Sequence, residues 1–171
     1  MNIVEIQTGH LRLISTREKI IIPPCDGTET IAQASDVFYE IDPYFKKWGC
    51  DVKGALTLEA PAEVYEMVGA GSFCDDIFSR VSQNLYSFCF TQHQIKMFCK
   101  EHRDLLRRDV VDWTSFLFNV CNNFFLASVC CGSAGLYVGL DRLKRESGWS
   151  ATMHRSRVVL PKLQSQNPSI S

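Results

Sequence analysis

The stretch that decides the fold comprises residues 90–129, FTQHQIKMFCKEHRDLLRRDVVDWTSFLFNVCNNFFLASV. Thr91 and Gln94 form a capping box, in which each side chain accepts a hydrogen bond from the other residue's backbone amide. The residues that follow recur at the three- and four-residue intervals of one buried helix face. They are Ile95, Phe98, Cys99, His102, Leu105 and Leu106. The sequence therefore predicts a helix that begins after Thr91 and packs through this face.

A β-hairpin is predicted next, because Asn122-Asn123 separates two apolar runs. Asparagine tolerates the positive φ that a two-residue type I′ turn requires. With these two residues at the turn, Cys121 would pair with Phe124. Alternation places one apolar set on a single face: Phe116, Phe118, Val120, Phe125, Ala127 and Val129. We expect the helix to cover that face.

The remaining elements are predicted from apolar periodicity and from turn residues. Strands are expected at 3–6, 11–14 and 19–22, and short helical segments at 30–37 and 42–49, the latter closed by Gly49. Longer helices are expected from Ala60-Pro61 to residue 68, and from a Ser72 cap to about Leu85. A third strand at 136–143 and a fourth at 149–160 would extend the hairpin into an antiparallel meander.

These elements predict an α+β fold, with helices packed on an antiparallel β-meander. The chain has 171 residues, of which 46% are hydrophobic, and this is sufficient for one domain with its own core. We predict a single domain over residues 1–163, followed by a flexible tail at 164–171. Within the domain, residues 1–90 form an acidic, helix-rich part, and residues 91–163 form a basic helix-plus-meander part.

The charge distribution is uneven along the chain. Residues 1–90 carry 7 basic and 13 acidic side chains, whereas residues 91–171 carry 11 basic and 6 acidic ones. Such an imbalance can indicate a half that binds polyanions. It can equally mean that two oppositely charged parts pack against each other, and the sequence leaves both interpretations open.

Composition also bears on location and cysteine chemistry. No apolar run approaches the roughly 20 residues that a membrane-spanning helix needs, and charged residues interrupt the first 22 positions. We therefore predict a cytoplasmic protein without membrane association. The eight cysteines include no CxxC pair, so the spacing favours reduced, mostly buried thiols over a zinc site or a disulfide framework.

A row of basic residues at helical spacing is the candidate binding surface. Phosphates or other anions could contact such a row at successive turns. The candidate anion- or nucleic-acid-binding residues are Lys96, Lys100, Arg103 and Arg107 on the helix, with Arg155 and Arg157 extending the row across the sheet. The alternative is that this face is solvated or contacts the acidic part of the chain.

The sequence offers little chemistry for catalysis. Cys99 and His102 could place a thiol beside a base, but both lie on the face that is predicted to be buried. The chain has no P-loop, GxGxxG, GxSxG or HExxH motif. We therefore predict no catalytic residue, no bound metal and no cofactor.

The leading functional hypothesis is a non-catalytic protein–protein interaction or regulatory module of unknown partner. Nucleic-acid or polyanion binding through the basic helix face is the first alternative. A small enzyme that depends on cysteine and histidine is the second.

The order of several short segments resembles an uncharacterised small-protein family of candidate-phyla (Parcubacteria-type) bacteria. The matching segments are Thr30-Ile31-Ala32, Asp36-Val37-Phe38, Phe45-Lys46-Lys47-Trp48-Gly49-Cys50, Val64-Tyr65-Glu66-Met67-Val68, Thr91-Gln92-His93-Gln94-Ile95, His102-Arg103, Phe116-Leu117-Phe118 and Arg157-Val158-Val159-Leu160-Pro161. The resemblance covers roughly residues 28–163. It departs at Asp112-Trp113, where the family has Gly-Tyr, and at the hairpin turn. It implies a domain plan and no activity.

Overall fold

The computed structural model describes residues 9–16, 19–79, 84–108, 112–150 and 156–163. Its main feature is a sheet of eight strands, mostly antiparallel with two parallel pairs, and two further strands form a small ribbon. The strands are β1 (Leu11–Leu13), β2 (Ile20–Ile22), β3 (Phe38–Ile41), β4 (Ala60–Met67), β5 (Gly71–Ser72), β6 (Thr114–Val120), β7 (Asn123–Cys131), β8 (Leu136–Arg142), β9 (Gly148–Trp149) and β10 (Arg157–Pro161). The fold is α+β, as predicted, with more strand than expected.

The helix of residues Gln92–Glu101, called here the central helix, begins as the sequence predicts. Gln94 N donates to Thr91 Oγ1 at 3.1 Å, and Thr91 N donates to Gln94 Oε1 at 2.9 Å, so the capping box is confirmed. Shorter helical segments lie at Ile31–Gln33, Tyr44–Lys47, Phe73–Phe78, Leu85–Phe88 and Arg103–Leu105. Trp48 ends the segment Tyr44–Lys47, and Gly49 after it has a φ of 71°, which confirms the predicted closure.

The large sheet joins the two halves of the chain. Its strand order is β1-β4-β10-β6-β7-β8-β3. β1 pairs with the C-terminal end of β4, and β2 pairs with its N-terminal end. The parallel pairs are β10 with β6 and β3 with β8. The sheet therefore places one strand from the acidic part, β4, next to the last strand of the chain.

The helix predicted from Ala60-Pro61 to residue 68 is wrong, because this segment forms β4. β4 is paired on both sides, and it contributes apolar side chains to both faces of the sheet: Val64 to one, Tyr65 and Met67 to the other. A strand buried on both faces lacks the polar–apolar alternation of a half-exposed strand. Apolar residues close together can then fit a helical interval by chance, which explains the error.

The predicted fourth meander strand at 149–160 is also wrong. Gly148–Trp149 pairs with Gly71–Ser72 in the small ribbon, and only Arg157–Pro161 enters the large sheet. There it lies between β4 and β6, parallel to β6, instead of beside β8. Val158, Val159 and Leu160 are completely buried, and such a strand needs a neighbour on each side.

The hairpin turn lies one residue earlier than predicted. Cys121 and Asn122 have φ values of 49° and 64°, and Val120 pairs with Asn123. Asn122 is additionally held by a 2.8 Å hydrogen bond from the Tyr86 hydroxyl, an interaction that local sequence does not show. The shift moves each residue's partner on the other strand by two positions, so that Phe118 pairs with Phe125 instead of Ala127, and the predicted side-chain alternation survives. Phe116, Phe118, Phe125, Ala127 and Val129 share a core, as expected.

The sheet has an apolar core on each face. The central helix covers the first, where Ile95, Phe98 and Cys99 pack with the hairpin face just described. The segments Phe73–Phe78 and Leu85–Phe88 cover the second, which includes Leu117 and Leu126. The predicted capping of the first of these segments is confirmed, since Asp75 N donates to Ser72 Oγ at 3.3 Å.

The other sequence predictions have mixed outcomes. The strands expected at 11–14 and 19–22 are present as β1 and β2, and the helix expected at 30–37 is reduced to the single turn Ile31–Gln33. The strand expected at 3–6 and the tail expected at 164–171 lie outside the described residues.

Candidate functional site

The predicted basic row does not form one surface, because Lys96 points into the protein. Lys96 is only 7% exposed and forms ion pairs with Glu29 and with Asp36, the latter at 2.9 Å. The hydrogen bond from Lys96 lowers the pKa of Asp36. At this position, the basic helix packs against the acidic N-terminal part, which is the second of the two interpretations that the charge distribution left open.

The rest of the row is separated because the central helix ends at Glu101. His102 leaves helical geometry with a φ of −120° and a ψ of 40°, and Arg103 begins a short 3-10 turn. Arg107 lies beyond that turn in extended chain, where its backbone amide donates to Thr114 Oγ1 at 3.1 Å. Helical spacing therefore does not align Arg103 or Arg107 with Lys100, which stays exposed on the helix. Arg155 lies outside the described residues.

Two residues of the row, Arg107 and Arg157, meet at one cleft of about 300 Å³. This arginine cleft is lined by Asp104, Leu106, Arg107, Arg108 and Arg157. The sheet builds it: β10 brings Arg157 opposite Thr114 at the start of β6, and Thr114 holds the backbone of Arg107. The cleft thus brings together residues that are 50 positions apart in the chain, which the helical interpretation of the row could not predict.

The arginine cleft has an excess of positive charge over its own acidic groups. Arg107 Nη2 lies 3.4 Å from Asp112 Oδ2, and Arg157 Nη1 donates to the carbonyl oxygen of Leu105 at 2.5 Å. Burial lowers the pKa of Arg157, and the positive charge of Arg107 lowers it further. Within the described part of the chain, the buried Nε atoms of Arg107 and Arg157 have no hydrogen-bond partner. The two guanidinium groups therefore repel each other, and a bound anion would relieve this repulsion.

Arg108 is the member of the cleft that sequence reasoning missed. It is exposed, and none of the residues that the structure describes forms an ion pair with it. The helical interval placed it off the candidate row, although its position directly after Arg107 was a usable signal.

Cys99 and His102, the candidate pair, do not form a nucleophilic site in the described part of the chain. Cys99 is completely buried, which raises its pKa, and burial raises the pKa of Cys89 to about 12. The ring of His102 packs at 5.2 Å from the ring of Phe98, and its Nε2 lies 3.4 Å from the carbonyl oxygen of Ile21. A reactive thiol needs thiolate character and access, and the geometry at Cys99 supplies neither.

We expect thiol labelling of the native protein to follow burial. Cys121 is exposed, whereas Cys25, Cys50, Cys99 and Cys130 are buried. A disulfide reagent such as Ellman's should therefore react first with Cys121, and with the four buried thiols only after unfolding. Substituting Cys121→Ser should remove the fastest phase. Rapid labelling of Cys99 in the folded protein would contradict this burial pattern and reopen the enzyme hypothesis.

The described residues contain no group of three or more His, Cys, Asp or Glu side chains that could hold a metal ion. In the same part of the chain, no helix has the length and apolar character to cross a bilayer. Comparison of the chain with protein-family models, curated proteins and solved structures gave no match. The geometry of the arginine cleft is therefore the basis for its proposed function.

Proposed function

We propose that this protein is a non-catalytic interaction module that binds an acidic segment of a partner protein at the arginine cleft. The observation that carries the proposal is the convergence of Arg107, Arg108 and Arg157 on one concavity. Guanidinium groups bind carboxylates and phosphates through paired hydrogen bonds of fixed geometry. Arg108 is exposed and Arg107 and Arg157 are partly exposed, so such an anion can reach their side chains.

The compactness of the cleft favours a peptide over a nucleic acid. A nucleic-acid surface neutralises many phosphates in a row, but Lys96, the first residue of the basic row, is engaged by Glu29 and Asp36. Asp104 lines the cleft and Asp112 lies beside it, so an extended polyanion would meet negative charge there. One or two acidic groups on a peptide match three arginines better than a long phosphate track does.

We expect Arg108→Glu to weaken binding of an acidic peptide about tenfold or more, which corresponds to about 1.4 kcal/mol. The substitution replaces an exposed donor by a repelling carboxylate, and no described ion pair is lost. Fluorescence anisotropy would measure the affinity of labelled Glu-rich peptides, with and without one phosphoserine, at low and physiological salt. The two peptides distinguish a phosphate from a carboxylate as the recognised group.

Lys100→Glu is the matched control, because Lys100 is equally exposed but does not line the cleft. We expect its effect on peptide affinity at physiological salt to stay below about twofold, since Lys100 does not line the cleft and salt screens exposed charges. If both reversals weaken binding equally, the surface is an extended track and the compact site is wrong. Tighter binding of an oligothymidylate than of either peptide, or no peptide binding at all, would also overturn the proposal.

A further inference from the structure

A second cavity lies on the opposite face of the sheet from the central helix. Its volume is about 220 Å³. The strands β7 and β8 contribute Ser128, Gly139 and Asp141 to its floor, and three aromatic residues, Phe73, Trp113 and Trp149, form its walls. This aromatic cavity is separate from the arginine cleft, and it takes in polar and aromatic groups that the proposed function does not use.

The aromatic walls are held by the small ribbon. β9 pairs Trp149 with Gly71 of β5, and the Phe73 ring meets the Trp149 ring edge-on at a centroid distance of 5.5 Å. A Cβ at Gly71 would lie 2.6 Å from the Trp149 ring, so a glycine is required for this approach. The wall is thus a built feature that depends on a specific close contact.

Gly139 keeps the floor of the aromatic cavity open. It occupies the interior of β8, directly opposite Ser128. A glycine inside a strand weakens that strand, and it often marks a place where another group approaches closely. A Cβ at Gly139 would lie 3.9 Å from the Trp113 ring, in ordinary contact. A branched side chain there would therefore extend into the cavity and fill it.

Asp141 gives the aromatic cavity its charge. Among the described residues it is the only charged one in the lining, and no basic residue in those ranges forms an ion pair with it. Partial desolvation raises the pKa of Asp141, and the neighbouring negative charge of Asp42 raises it further. A cation placed beside the carboxylate would remove this electrostatic penalty.

Trp149 contributes an unused hydrogen-bond donor. The residue is 6% exposed, and its buried Nε1 has no hydrogen-bond partner among the described residues. Buried tryptophan N–H groups normally have a partner. The described lining therefore combines an exposed carboxylate that forms no ion pair in the described ranges with three aromatic rings, one of which has an unsatisfied N–H.

We infer that the aromatic cavity binds a small organic amine, with the ammonium group at Asp141 and the apolar body between the rings. The face of a tryptophan ring attracts a cation, and the adjacent carboxylate adds a charged acceptor. The cavity is smaller than the roughly 300–1,000 Å³ of typical ligand pockets. The ligand is therefore restricted to about the size of one ring with a short chain. Neither the arginine cleft nor its occupant is needed for this site.

Tryptophan fluorescence provides the test, because two of the three tryptophans line the cavity. Trp48 is the third and packs elsewhere, against Tyr44 and under Arg142, so a Trp48→Phe background isolates the signal. The probes are phenethylamine, 2-phenylethanol and 3-phenylpropionate, which share an apolar body and differ in charge. We expect phenethylamine to bind about tenfold more tightly than the alcohol, and the carboxylate not to bind.

Two variants and one control distinguish the site from general adsorption. Asp141→Asn should weaken phenethylamine binding about tenfold and bring it close to that of the alcohol. Gly139→Val should abolish binding by filling the cavity. If the valine variant fails to fold, Gly139→Ala takes its place, because the added methyl group meets only ordinary contacts. Glu146→Gln removes a nearby exposed carboxylate outside the lining and should change nothing.

Three results would overturn the inference. They are the absence of any phenethylamine-dependent fluorescence change at millimolar concentration, equal affinity for the amine and the alcohol, and equal effects of Asp141→Asn and Glu146→Gln. The melting temperature of each variant, measured in parallel, separates lost binding from lost folding. Failure of this test leaves the arginine cleft unaffected, and the reverse also holds.

Discussion

Replacing Phe98 by alanine is expected to lower the free energy of unfolding by about 3–5 kcal/mol. Phe98 is completely buried on the central helix. Its ring lies edge-on to Phe116 at 5.2 Å and also packs against His102 at the same centroid distance. The substitution removes a large apolar surface from the first core and leaves a cavity that the paired strands of the sheet cannot readily close.

Urea denaturation followed by circular dichroism would measure the Phe98→Ala effect. The midpoint should fall while the slope stays unchanged, which shows that stability and not compactness has changed. Leu58→Ala is the control, since Leu58 is 77% exposed and its truncation should stay within about 0.5 kcal/mol. A loss below about 1 kcal/mol for Phe98→Ala would mean that the central helix does not anchor this core.

Replacing Gln92 by leucine is expected to cost about 2–4 kcal/mol, although the two side chains are similar in size. Gln92 is 5% exposed at the start of the central helix. Its Oε1 accepts from Ile31 N at 3.1 Å, and its Nε2 donates to the carbonyl oxygens of Cys50 at 2.6 Å and Val52 at 3.2 Å. Leucine would leave three backbone groups of the N-terminal part without their partner, and at least two of these bonds are in buried surroundings.

Hydrogen exchange provides a local measurement for Gln92→Leu in addition to denaturation. The amide of Ile31 should exchange faster, because its acceptor is gone. Gln33→Leu is the matched control: Gln33 also bonds through its side-chain amide, to Asp51, but at an exposed position, so its cost should stay below about 1 kcal/mol. If the two substitutions destabilise the protein equally, the buried bonds of Gln92 do not hold these loops to the helix.

Gln92 also shows how far sequence reasoning reached at the central helix. The capping box Thr91–Gln94 and the apolar interval were readable, because both depend on residues within one or two turns. Gln92 belongs to neither pattern, and its partners lie 40 to 61 positions earlier in the chain. A buried glutamine that links distant backbone groups has no local signature.

The arginine cleft was predictable only in part. Arg107 was predicted on a continuous helical row, which is wrong because the helix ends at Glu101, and Arg157 was predicted as an extension of that row across the sheet. Lys96 is buried and forms ion pairs with Glu29 and Asp36, and the central helix ends before Arg103. The cleft depends instead on β10 lying parallel to β6, and the aromatic cavity depends on the ribbon of β5 and β9.

The sequence by itself determined the local features of this protein. They include the start of the central helix, the alternation of Phe116, Phe118 and Phe125, and the closure of the segment Tyr44–Lys47 by Gly49. Short-range sterics and hydrogen bonds set these, and the residues involved are near neighbours in the chain. Only the tertiary structure decided that residues 60–67 form a strand and that the C-terminal strand lies beside it. Burial on both faces and partners from distant segments make that choice, and no local pattern in the chain records it.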